Sequence, residues 1–274
     1  EVRDELKSLG FVFATASDTE VVLNAYRAWG VSCFERFNGF WAMAIFDPYR
    51  RTVILSRDRL GVKPLYYAEY RGTVAFASEI KALLALPDVR AAVTPNDPVV
   101  HAWLNAGIKD HTRETFFKGI YSFPAGAWAS VGPELHERIR RYWLLPLKRR
   151  CPQEISVEQA IVTLRELLVD AVRLRLRADV PLAVSLSGGI DSSAIIALAR
   201  RDLGIALPSY TVRFSDPRAD ESAFASAVAT ACDSPQTWID EPSDSFWSDI
   251  APFTALHEEP YHAPNLHADQ QVWS

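Results

Sequence analysis

Val180-Pro-Leu-Ala-Val-Ser-Leu186, running directly into Ser187-Gly-Gly-Ile-Asp-Ser-Ser193, is the stretch that decides the fold of the second half of this chain. Its first part is short, apolar and bounded by a proline, the pattern of a buried parallel strand. From Ser192 to Gly204, apolar residues recur at Ile195, Ile196, Leu198, Ala199 and Leu203 and the run stops at a glycine, the pattern of an amphipathic helix. Between the two, Gly188 and Gly189 permit close backbone approach. The free amides and positive dipole end of the coming helix favour an anion there. Strand, glycine loop and helix in that order predict a phosphate cradle. The same residues also suit a tight corner whose serines merely cap the helix.

Working outward, Ser209 to Phe214 reads as a strand, Asp220 to Cys232 as a helix and Gln236 to Asp240 as a strand. This alternation predicts a doubly wound parallel α/β sheet, whose ligands lie at the carboxyl ends of the strands, where Ser187 to Ser193 falls. Upstream, Ser156 with Gln159 makes a capping-box pattern, and Ile161, Leu164, Leu167, Leu168, Ala171 and Val172 form the apolar face of the helix that follows. Basic residues and prolines between Arg138 and Pro152 mark a boundary, giving domains 1–147 and 148–274. The first domain reads as helix Val2 to Leu9, strand Phe11 to Thr15, a helix to Gly30 capped by Asp18, a series of short strands, and a helix from Ser78 to Leu86. Sheets covered by helices are the predicted architecture.

The loop is not a Walker A motif, because no lysine lies between Ala178 and Ser215 to reach the outer phosphates. It is not a nucleophile elbow either, since G-x-S-x-G is absent, although Ser185 and Ser187 beside a strand-to-helix turn keep a serine hydrolase as the next chemical alternative. Four hydroxyls, two glycines and Asp191, a carboxylate suited to Mg²⁺ against a polyphosphate, favour the phosphate reading.

Composition narrows the class. The chain has 274 residues, 49% of them hydrophobic, with 8 Trp and 14 Phe, which is ample for two packed domains at ~100 to 200 residues each. Its apolar runs are far shorter than the ~18 residues of a membrane helix. With 29 basic against 34 acidic residues, net −5 and no basic block, a small-molecule substrate is expected and neither nucleic acid nor membrane is expected as a partner. Cys33, Cys151 and Cys232 are far apart and odd in number, which predicts neither disulfides nor a zinc site, and a cytoplasmic location. They read as buried small hydrophobes. His257, Glu258 and Glu259 are too poorly spaced for a metal site. Arg57, Asp58 and Arg59 read as a structural ion-pair network, and Glu79 as part of the first turn of its helix.

Leu186-Ser-Gly-Gly-Ile-Asp-Ser-Ser193 resembles the pyrophosphate-binding loop of ATP pyrophosphatases. Independently, Ser17-Asp-Thr-Glu20, Ala42-Met-Ala-Ile-Phe-Asp47, Arg57-Asp-Arg-Leu-Gly-Val-Lys-Pro-Leu-Tyr-Tyr67 and Phe76-Ala-Ser-Glu-Ile-Lys-Ala-Leu83 resemble the class II glutamine amidotransferase domain. The two in this order, with Glu114 to Ile120, Phe123-Pro-Ala-Gly126 and Arg141-Tyr-Trp143 between them, resemble the glutamine-hydrolysing asparagine synthetase family. The fold so implied is α/β and α+β: a partial N-terminal αββα, Ntn-hydrolase-like sandwich, then a partial doubly wound parallel sheet of the ATP pyrophosphatase type.

The resemblance implies a ligase that amidates aspartate to asparagine through a β-aspartyl-adenylate, with glutamine-derived ammonia, ATP and Mg²⁺. AMP and pyrophosphate would be released. It assigns Leu186, Ser187, Gly188, Gly189, Asp191, Ser192, Ser193 and Val212 to ATP and pyrophosphate, Asp191 to the magnesium ion, and Asp18 to the α-amino group of glutamine. It makes Asp220, Glu221 and the segment around Glu258 secondary candidates near the substrate, and allows a homodimer. The family's N-terminal cysteine nucleophile matches no cysteine here, and its C-terminal acidic motif is not found. Both ends are therefore expected to lie outside the sequence, and the fragment alone is expected to be inactive. Relatives that form β-lactams or cyclise peptides by adenylating another carboxylate are the alternative, with a non-catalytic homologue as the third reading.

Overall fold

The computed structural model of the chain describes residues 1–132, 138–147, 154–240 and 246–260. They fall in two units, Glu1–Leu147 and Lys148–Ser274.

In the first unit, strand alternation sorts side chains into layers. β1 (Ala42–Asp47) pairs antiparallel with β2 (Thr52–Arg57), which pairs with β8 (Ala127–Ser130), and β9 (Arg140–Arg141) closes the row. A second antiparallel sheet has the order β4 (Thr73–Ala77), β3 (Tyr66–Tyr70), β7 (Ile120–Ser122). Successive residues of a strand point to opposite faces. Ile54 of β2 accordingly joins Leu6, Ala25, Phe34 and Trp41 on the side of α1 (Val2–Ser8) and α2 (Asp18–Trp29). Its neighbour Leu55 joins Tyr67, Phe123, Ala127 and Ala129 between the two sheets. Tyr67 of β3 faces that inter-sheet core, while Ala68 and Ile120 face Ile80 and Leu83 of α4 (Ile80–Leu84) and Val89 of α5 (Pro87–Ala92). Helix, sheet, sheet, helix is the resulting order of layers, the αββα sandwich implied by the resemblance. The remaining elements of this unit are α3 (Cys33–Arg36), α6 (Asp97–Ala106) and the two-residue strands β5 (Thr94–Pro95) and β6 (Phe117–Lys118).

In the second unit, β10 (Val184–Ser185), β11 (Ser209–Arg213) and β12 (Gln236–Asp240) run parallel in that order. They alternate with α7 (Val157–Arg175), α8 (Ile190–Arg201), α9 (Ser222–Ala231) and α10 (Phe246–His257). Leu186, Ile196, Ala225, Ala229 and Cys232 bury together, joining the end of β10 to α8 and α9. Burying a leucine side chain stabilises by about 2 kcal/mol, so Leu186 is a strong anchor for the loop that follows.

Several expectations change. Phe11 to Thr15 is not a strand; it is an irregular connection. Ser17, and not Asp18, caps α2: its hydroxyl accepts from the Thr19 amide at 3.2 Å, and Asp18 is the first helical residue. β10 is limited to two residues instead of spanning from Val180. Ser156 caps α7 as expected, accepting from the Gln159 amide, but Ile161, Leu164 and Leu167 on its apolar face are exposed among the described residues, and only Val172 is buried. Cys151 lies outside the described residues.

Candidate functional site

The end of β10 is fixed twice. The Leu186 amide donates to the Tyr210 carbonyl at 2.9 Å, and the Thr211 hydroxyl donates to the Leu186 carbonyl at 2.8 Å. With its side chain buried as well, Leu186 hands the chain to Ser187 at a set position at the carboxyl edge of the sheet. Gly188 then takes φ +83°, a left-handed conformation that L side chains rarely adopt. A Cβ there would sit 2.6 Å from the Ala225 amide nitrogen and 2.7 Å from Phe224 Cβ, so the loop lies against the first turn of α9 and only glycine fits.

Gly189 is extended and forms the N-cap of α8 without a capping side chain; its carbonyl accepts from the Ser193 amide. Helix geometry leaves the amides of Ile190, Asp191 and Ser192 without intrahelical acceptors, next to a terminus carrying about half a positive charge. The hydroxyls around them are weakly held. Ser187 Oγ accepts from the Gly189 amide at 3.2 Å and lies 3.2 Å from Ser192 Oγ, which reaches the Gly189 carbonyl at 3.3 Å. The two hydroxyl contacts exceed the ~2.7 Å usual for hydroxyl donors, and the amide contact exceeds the ~2.9 Å usual for amide donors. Ser193 Oγ is buried and has no hydrogen-bond partner among the described residues. An unpaired buried hydroxyl costs roughly 1–3 kcal/mol, which a ligand oxygen would relieve.

Donors without acceptors at a positive terminus suit a polyphosphate. Asp191 is exposed in the first turn of α8. Among the described residues, no group of three or more His, Cys, Asp or Glu side chains could enclose a metal by itself. A magnesium ion would therefore take one ligand from Asp191 and most of the others from phosphate and water, its usual preference. Val212 is half-buried on β11. Because Tyr210 lies opposite Ser185, Val212 stands two residues beyond the end of β10, at the open carboxyl edge. Leu186, Ser187, Gly188, Gly189, Asp191, Ser192, Ser193 and Val212 thus share one edge of the sheet. Thr211 was not legible as part of this set, since its role comes from a cross-strand contact.

Asp18 belongs to the first unit. It lines a groove of about 470 Å³ whose walls include Val22, Phe37, Trp41, Met43 and Ile45. Asp18 itself is exposed at that groove.

The other candidates make contacts within their own units. Asp58 is buried and accepts from the amides of Trp41, Leu60, Val62 and Lys63. Arg57 donates to the carbonyls of Gly61, Lys63 and Phe123, and Arg59 to that of Glu35, so the triplet ties down a turn mainly through backbone groups, with no salt bridge between its own members among the described residues. Glu79 precedes α4 and pairs with Lys81. Asp220 accepts from the Phe214 amide and the Ser222 hydroxyl at the entry to α9. The His257 ring packs on Phe253. Burial pushes the Cys33 thiol up to about 12, far from a reactive thiolate.

Residues 1–143 match the glutamine amidotransferase domain and residues 163–268 match asparagine synthase. The chain belongs to the glutamine-hydrolysing asparagine synthetase family. Asparagine synthetase 3 (glutamine-hydrolyzing) of Bacillus subtilis is 34% identical over 251 residues, covering 90% of this chain and 39% of that protein. Amidase chyE of Penicillium rubens is 34% identical over 246 residues, covering 83% of this chain and 35% of that one. Amidase chry2 of Gibberella zeae is 34% identical over 238 residues, with 80% and 34% covered. The chain thus spans about two fifths or less of the length of these relatives. The solved glutamine phosphoribosylpyrophosphate amidotransferase of B. subtilis, at 13% identity and a TM-score of 0.34, covers 87% of this chain and 42% of its own, too loose an overlay to bear on the fold.

Proposed function

We propose that this chain belongs to an enzyme that uses ATP to activate the side-chain carboxylate of aspartate and amidates it with ammonia released from glutamine. The observation that carries this reading is the cradle at Ser187 to Ser193, with its lysine-free glycine turn and orphaned Ser193 hydroxyl, on the same chain as a glutamine amidotransferase domain. In this reading residues 1–147 form the glutaminase domain and residues 148–274 the ATP-binding part of the synthetase.

The loop grips the β and γ phosphates with the Ile190, Asp191 and Ser192 amides and the Ser187, Ser192 and Ser193 hydroxyls. That grip leaves the α-phosphorus open to the attacking carboxylate. Attack gives a β-aspartyl-adenylate and pyrophosphate, and ammonia then displaces AMP. These residues supply positioning and charge stabilisation and perform no covalent step. Magnesium held by Asp191 would neutralise charge building on the departing pyrophosphate. Backbone groups of Leu186 and Val212 border the nucleotide, and Asp18 pairs with the α-ammonium of glutamine.

No helix among the described residues is long and apolar enough to cross a membrane. Free, buried Cys33 and Cys232 support a reducing, cytoplasmic setting. A homodimer is part of the proposal, with only the family resemblance behind it.

The test is product analysis on the full-length protein with ATP, magnesium, glutamine and aspartate. AMP, pyrophosphate and asparagine in equal amounts are expected; ADP and phosphate would overturn the assignment. Two relatives at the same identity are named amidases, which favours as second reading an amide-forming ligase for another carboxylate. AMP release that ignores aspartate and depends on a different carboxylic acid would select it.

A further inference from the structure

The connection from Leu9 to Ser17, which has no regular structure, is held at its end by two side chains from the flanking helices. From α2, Glu20 accepts from the Ala14 amide through Oε1 at 2.8 Å, and from the Thr15 amide and hydroxyl through Oε2 at 2.7 and 2.6 Å. From α1, the two ends of the Arg3 guanidinium donate to the carbonyls of Thr15 at 2.8 Å and Ser17 at 2.9 Å. Thr15 Oγ1 passes the restraint on by accepting from the Ser17 amide at 3.2 Å. Every one of these bonds ends within four residues of Asp18.

We infer that Arg3 and Glu20 are positioning residues that fix where the Asp18 carboxylate meets its groove and so set the affinity for glutamine. This rests on the proposed reading of Asp18 as the group that holds the substrate ammonium. The division of labour follows from chemistry. Carboxylate oxygens can only accept, and Glu20 meets two amides and a hydroxyl. Guanidinium nitrogens can only donate, and Arg3 meets two carbonyls. Neither side chain lines the groove that Asp18 lines, so each acts through the backbone it holds. Glu20 carries its charge readily in this role, because the Thr15 hydroxyl and the Ala14 and Thr15 amides hold its carboxyl below the usual range. Glu20→Gln replaces one accepting oxygen by a donor, so either the Ala14 bond or the Thr15 pair must break. Displacement of Asp18 by an ångström then lowers substrate affinity by about tenfold or more.

The experiment compares Asp18→Asn, Glu20→Gln, Arg3→Ala and Thr15→Val in the full-length protein. It measures KM and kcat for glutamine beside amidation driven by added ammonium, which bypasses the glutamine site. Expected are a glutamine KM raised about tenfold by Glu20→Gln and by Arg3→Ala and severalfold by Thr15→Val, with ammonium-driven activity kept. Glu20→Gln combined with Asp18→Asn should be no worse than Asp18→Asn alone, since both remove one interaction. An Asp18→Asn variant with raised KM beside Glu20→Gln and Thr15→Val variants with normal KM overturns the inference and leaves the role of Asp18 standing. An Asp18→Asn variant with normal KM overturns that role itself. If Glu20→Gln melts the unit, Thr15→Val decides, because it keeps the side-chain shape and removes only the hydroxyl contacts.

Discussion

Gly188→Ala isolates the feature that shapes the phosphate loop. The backbone there is at φ +83°, and holding alanine in a left-handed conformation costs roughly 1–2 kcal/mol. The new Cβ would lie 2.6 Å from the Ala225 amide nitrogen, 2.7 Å from Phe224 Cβ and 3.0 Å from the Phe224 carbonyl carbon. Two of the three obstacles are backbone, so α9 must move by several tenths of an ångström, an overpacking cost of about 1–3 kcal/mol. Together about 2–5 kcal/mol of local stability is lost, and the loop is displaced from the cradle geometry. Gly189→Ala is the control: φ is −66° and the added Cβ meets only Ser187 Oγ at 3.2 Å, which a hydroxyl rotation relieves. The assay is amide hydrogen exchange in α8 and α9 alongside equilibrium binding of Mg-ATP. Gly188→Ala should speed exchange in both helices and weaken binding, while Gly189→Ala leaves exchange near that of the parent. Unchanged exchange and affinity in Gly188→Ala, or equal losses in the two variants, would refute the reasoning.

Ser193→Ala removes an unpaired buried hydroxyl, so thermal unfolding without ligand should stay level or rise by up to about 1 kcal/mol while Mg-ATP affinity falls, as measured by calorimetry. Asp58→Ala leaves four amides without their acceptor and should cost about 3 kcal/mol in urea unfolding of the first unit. Tyr67 is fully buried, and desolvation pushes its hydroxyl up to about 12, with Arg113 offsetting a part. Its folded value lies above the unfolded value near 10, so its contribution is fully present below about pH 10 and is lost as pH rises through about 12. Tyr67→Phe should match the parent at pH 8 and lose about 2–3 kcal/mol less between pH 10 and 12; parallel stability curves would contradict this.

Elements defined by dense local patterns were legible in the sequence. Gln236 to Asp240 forms a strand over the predicted residues, because apolar and β-branched side chains coincide with clear turn signals. Phe11 to Thr15 carries the same alternation but no ladder, since the amides of Ala14 and Thr15 are taken by Glu20, a partner that periodicity does not reveal. The capping residue of α2 was misplaced by one because Ser17 and Asp18 are both good caps, and only the reach of Ser17 Oγ to the Thr19 amide separates them. The phosphate loop was legible from its glycines and hydroxyls. What was not legible is why Gly188 must be glycine: the contact with Ala225 joins residues far apart in the chain. The charged triplet at Arg57 to Arg59 showed that it was structural, but not that its main partners are backbone groups.

The central claim is that ATP activates a carboxylate through its α-phosphorus. Aspartate labelled with ¹⁸O in its side-chain carboxylate, turned over by the full-length protein with ATP, magnesium and ammonium, tests it most directly by mass spectrometry of the products. The account predicts one ¹⁸O in the phosphate of AMP and one retained in the amide of asparagine. Label in inorganic phosphate, or none in any nucleotide product, would contradict it.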